Sequence, residues 1–69
     1  MDNAEGITEF IINNGEGLYT EDKYVKLLDA ISRHIEYRTI IVLEDDKGIK
    51  AVCRFNFLTP SMVYVIDLV

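Results

Sequence analysis

A single cysteine, Cys53, and a single histidine, His34, stand in this 69-residue chain. One cysteine excludes an internal disulfide framework, and one of each excludes a Cys/His zinc site. Basic residues are also few: seven Lys and Arg against twelve Asp and Glu, a net charge of −5. That balance argues against nucleic acid and against an anionic membrane surface as partners, since both call for a basic field. No apolar run exceeds about five residues, against the roughly 20 that a spanning helix needs. The N-terminal residues, Met1 to Glu5, are acidic, whereas a secretory signal opens with basic residues and runs into an apolar stretch. A cytoplasmic location is expected, and a free Cys53 fits a reducing compartment. Low-complexity tracts, internal repeats and Ser/Pro linkers are likewise lacking.

What is present is the composition of a folded domain. Hydrophobic residues make up 49% and charged residues 28%, which excludes intrinsic disorder. A chain of this length buries only about 60% of its unfolded surface and makes one domain at most. A two-domain enzyme with its own cofactor domain is excluded. The chain reads as one small domain over residues 1–69, or as the N-terminal portion of a longer one.

Three turn-rich points divide it: Asn13 to Gly17, Asp45 to Gly48, and Thr59-Pro60-Ser61. Before the first, Ile7, Phe10 and Ile11 share a helical face, with Asn3 placed to cap the start and Gly15 to supply a left-handed residue after the end. β-branched Ile11-Ile12, Gly6 and the Asn14-Gly15 hairpin signal favour a strand instead. A short helix over 3–14 is the preferred reading. From Thr20 as N-cap, Tyr24, Leu27, Leu28, Ile31 and Ile35 form an apolar stripe. Glu21 and Asp22 open it and His34 lies near its end, where an imidazolium would suit the helix dipole. A helix is expected over about residues 21–36.

Three strands follow. Residues 39–44 are β-branched and nearly all apolar. Residues 49–57 alternate, with Ile49, Ala51, Cys53, Phe55 and Phe57 on the face expected to meet the core, and Lys50, Val52, Arg54 and Asn56 opposite. Residues 62–69 separate Met62, Tyr64, Ile66 and Leu68 from Val63, Val65, Asp67 and Val69. The expected fold is α+β: two N-terminal helices packed on one face of a three-stranded antiparallel meander. Such a sandwich leaves Val63, Val65 and Val69 exposed on a strand without the charge, proline or bulge that blunts natural edges. A neighbouring strand, a second copy of the chain, or a continuation of the same domain would cover it.

The stretch Gly48-Ile49-Lys50-Ala51-Val52-Cys53-Arg54-Phe55-Asn56-Phe57, with Tyr64-Val65-Ile66-Asp67-Leu68-Val69 after a short turn, resembles the central hairpin of the GNAT acetyltransferases. Glu44-Asp45-Asp46-Lys47-Gly48 is similar to the charged turn that precedes that hairpin in the family. The resemblance covers about residues 20–69. It implies the N-terminal part of an acetyltransferase fold, inactive by itself. Acetyl-CoA would be the cofactor of the full-length enzyme, and Leu68 and Val69 match the strand end that binds its pantetheine arm. Asp67 lies where some members place a carboxylate near the substrate amine. Two departures stand out: the glycine-rich loop that cradles the pyrophosphate is absent, and so is a first strand before the helices.

Read from the residues alone, no catalytic or metal-binding set assembles. A buried Asp67 would have a raised pKa and the makings of a general base, but an outward-facing aspartate at a strand end is the plainer reading. His34 reads as a surface or capping residue, and Cys53 as a small core residue. The carboxylates are interleaved with Lys23, Lys26, Arg33, Lys47 and Lys50, which suits an ordinary solvated surface better than a DNA mimic. Two functions are therefore carried forward. One is the front part of a GNAT-like acetyltransferase. The other is a complete small acidic interaction module, an inhibitor or adaptor, that forms a homodimer or binds a protein partner through the strand over 62–69.

Overall fold

A computed structural model describes residues 3–69; Met1 and Asp2 of the acidic N-terminal reading lie outside the described residues. Asn3 adopts an extended backbone, and its side-chain oxygen accepts a hydrogen bond from the Gly6 N–H at 2.6 Å. That bond satisfies one of the free amides of a helix start and fixes α1, Ala4–Asn14. The helical reading of this segment holds because Ile7 and Ile11 are buried one turn apart. The helix end differs from expectation. Gly15 has φ −86° rather than a left-handed value. Its N–H bonds the Ile11 carbonyl at 2.9 Å, and a Cβ there would lie 2.7 Å from that same oxygen. Glycine is needed for close approach, and the left-handed residues are Glu16 and Gly17.

The second helix starts later than its carboxylates suggest. Glu21–Lys23 form a 3-10 turn, and α2 runs Tyr24–Tyr37. The Thr20 hydroxyl bonds the Asp22 carboxylate instead of capping a backbone amide. At the far end Arg38 takes the left-handed conformation, φ 60°, which turns the Thr39 N–H back onto the His34 carbonyl at 2.9 Å.

Three antiparallel strands follow in the order β1-β2-β3: β1 Ile40–Asp45, β2 Gly48–Thr59 and β3 Met62–Leu68. The α+β arrangement of two helices and a three-stranded antiparallel sheet is therefore the observed fold. The helices cover one face only. Ile7 and Ile11 from α1, Leu27 and Ile31 from α2, and Val52 from β2 form the buried core. Each contributes about 2 kcal/mol by leaving water.

The covered face is not the one that alternation suggested. Val52 and Arg54 point into the helices, with Ile40, Val42 and Val69 beside them. Cys53 is half-buried on the other side. Two bulges explain the mismatch. Lys50 is an extra residue opposite the Leu43/Glu44 step, so Ile49 leaves the line of Ala51 and packs against the core. Ile66 is extra in β3, so Asp67 faces the helices while Val65 and Val63 face away. Val69 exchanges two 2.9 Å backbone bonds with Val52 and is half-buried against the core, not exposed.

Candidate functional site

Two features of this fold have functional potential: a polar cluster inside it and an apolar face outside it. The cluster forms because Arg54 and Asp67 are cross-strand partners on the helix side of the sheet. Arg54 is 4% exposed and Asp67 9%. The guanidinium donates from Nε to both carboxylate oxygens, at 3.0 and 3.1 Å, and from Nη2 to Oδ2. Tyr19, in the segment between the helices, closes the set. Its hydroxyl donates to Asp67 Oδ2 at 2.8 Å and accepts from Arg54 Nη2 at 2.6 Å. Nearby, His34 Nδ1 lies 2.6 Å from the Thr39 hydroxyl.

Electrostatics follow from these contacts. Burial acts to raise the Asp67 carboxyl, but hydrogen bonds from Arg54 and Tyr19, with the Arg54 charge, outweigh it and hold the group below its ordinary value. Burial raises the Tyr19 phenol, as does its bond to Asp67. Burial lowers the His34 imidazole, and the Arg54 charge lowers it further. Both sequence expectations for Asp67 are thus corrected: it faces inward, and its pKa goes down. A carboxylate bound bidentately to a guanidinium is a poor general base, because taking a proton breaks that attachment. His34 is likewise disfavoured as the imidazolium expected at a helix end. Sequence reading missed the cluster because strict alternation puts Asp67 with Val63 and Val65. The available signal was a lone aspartate, Asp67, in apolar β3 beside a strand that carries Arg54.

The open face is built from cross-strand rows. Ile41, Cys53 and Leu68 form one; Leu43 with Ala51, Phe55 with Val65, and Phe57 with Val63 form the others. None of the nine is charged. Ile41, Leu43, Phe57, Val63, Val65 and Leu68 are each more than half exposed. The Phe55 and Phe57 rings meet edge to face at 5.7 Å. Beyond the helices the β2–β3 hairpin continues as an arm: every residue over 56–66 is exposed, and none is charged. Contiguous exposed apolar faces larger than a few hundred Å² are uncommon on soluble monomers.

Leu68 and Val69, matched above to a pantetheine-binding strand end, occupy different settings. Leu68 is exposed on the open face, whereas both backbone groups of Val69 are bonded to Val52. Cys53 sits half-buried on the open face rather than in the core. Among the described residues no group of three or more His, Cys, Asp and Glu could hold a metal ion, and no helix is long and apolar enough to cross a membrane. Comparison with known protein families, with curated proteins and with solved structures finds no match.

Proposed function

We propose that the chain is a protein-interaction module that works as a homodimer, with the open sheet face and β3 as its contact surface. The observation that supports this is the uncharged apolar face running from Ile41 on β1 to Val65 on β3. Its exposed side chains offer on the order of 800 Å², about what each partner gives to a stable interface. A second copy fits because the face is self-complementary: apolar rows meet apolar rows, and the acidic helices stay outermost. Two sheets packed about 10 Å apart would give layers in the order helix, sheet, sheet, helix. Light scattering across a concentration series tests this. The expected mass is twice 7.9 kDa, falling to the monomer on Val65→Lys. A folded monomer at every concentration would overturn it.

A second reading, the N-terminal part of a GNAT-like acetyltransferase, is supported by the order of two helices and an antiparallel meander. In that reading the remainder of the domain covers the open face, and acetyl-CoA reaches the protein at the Leu68 end of β3. It predicts no acetyl-CoA binding by these 69 residues alone. Titration calorimetry that detected such binding would contradict it.

A further inference from the structure

A group of basic residues lies away from the open face. Lys23, Lys26 and Arg54 line a cavity of about 370 Å³, together with Tyr19 and the apolar side chains of Leu18 and Leu27. Three of the seven basic residues of an acidic chain meet there, and none of the described lining residues is acidic. The volume falls at the small end of the ligand-pocket range, roughly 300–1,000 Å³.

Arg54 gives the cavity a directional group. Its Nε and Nη2 are engaged by Asp67 and Tyr19, but Nη1 has no hydrogen-bond partner among the described residues. Arg54 is only 4% exposed, yet it is among the residues that line the cavity. Asp67 balances the guanidinium's charge without occupying that nitrogen. The two lysines, on the 3-10 turn and the first turn of α2, add charge that no described lining residue offsets. The walls beside them are mainly apolar.

We propose that this cavity binds a small carboxylate with an apolar body. The head accepts from Arg54 Nη1 and lies between Lys23 and Lys26, while the body rests on Leu18 and Leu27. The mainly apolar walls suit an organic carboxylate with an apolar body better than inorganic phosphate. This site is independent of the dimer surface, because Arg54 and Val52 point to the helix side of the sheet.

The test is a heteronuclear NMR titration of the full chain with sodium octanoate, with octanol and inorganic phosphate as separate arms. Octanoate is expected to give saturable shifts at Leu27, Ala30 and the Arg54 Nε–H, with octanol and phosphate weaker by about tenfold or more. The Lys23→Gln/Lys26→Gln variant, altered only at exposed positions, is expected to keep its spectrum elsewhere and lose about tenfold in octanoate affinity. Equal binding of octanol would show an apolar groove without an anion site, and equal binding of phosphate would show an ion site without an apolar one. Shifts centred on Phe57 and Val65, or unchanged affinity in the double variant, would also overturn the proposal.

Discussion

Asp67 is where a single side chain has the largest structural effect. Its loss leaves the Arg54 guanidinium charged, buried and unbalanced. Breaking one side of such a pair costs about 3–5 kcal/mol. A domain of this size has about 3–10 kcal/mol in total, from roughly 0.05–0.15 kcal/mol per residue. Asp67→Asn is therefore expected to remove about a third or more of the stability, as read by urea unfolding followed by circular dichroism. Replacing both partners, Arg54→Met with Asp67→Leu, removes two desolvated charges together and is expected to restore most of the stability. If the double variant is no better than Asp67→Asn, the cluster does more than balance charge. The same residues set the pH dependence. Asp67 is depressed in the fold, so its contribution is present above the ordinary carboxylate range and is lost as pH falls through the folded value. His34 is also depressed, so the unfolded chain takes up a proton first and stability declines as pH falls below about 6.5. Tyr19 is raised, so stability declines again above about pH 10. Urea titrations from pH 4 to 10 are expected to show the step near neutrality, and His34→Gln should abolish that step alone.

At the level of elements, the helix ends are where local sequence and backbone disagree most. Arg38 holds φ 60° without the freedom of glycine. Such a position costs a non-glycine residue on the order of 1 kcal/mol, and no side-chain hydrogen bond of Arg38 offsets it among the described residues. Arg38→Gly is expected to raise the thermal midpoint by about 4–8 °C, measured by differential scanning calorimetry. The elements themselves were legible: the i, i+3, i+4 stripes gave both helices, and the β-branched runs with two turn clusters gave the three strands. Their facing was not. Sequence alternation assumes an unbroken period of two, and the extra residues at Lys50 and Ile66 reset it twice. Ile49 kept its expected place against the core, Asp67 crossed to the helix side, and Phe55 and Phe57 were left on the open side. The Arg54–Asp67–Tyr19 cluster depends on that crossing, so no motif in the sequence announced it. Tyr19 lies 48 positions before Asp67, and only the folded chain brings them together.

For the whole molecule, the open question is how two copies would meet, because the sheet presents both a face and an edge. Face-to-face packing uses β1 as much as β3, whereas edge pairing through β3 uses the outer rim of that strand alone. The bulge at Ile66 weighs against the edge, since an extra residue interrupts the regular ladder that a second strand needs. Leu43 separates the two geometries. It lies on β1, across the sheet from β3, and is exposed on the open face. Leu43→Lys is expected to weaken a face-to-face dimer by about tenfold or more, while an edge-paired dimer would be unchanged. Val65→Lys would disrupt either one, so the pair of variants distinguishes them. Salt gives an independent check. Two copies carrying −5 each repel one another across their acidic surfaces, and screening that repulsion favours an apolar contact. Analytical ultracentrifugation is expected to show the dimer tightening between 20 and 500 mM salt, on the order of a few-fold. Weakening over that range would mean that opposite charges hold the copies together, and the apolar face would then need a different occupant.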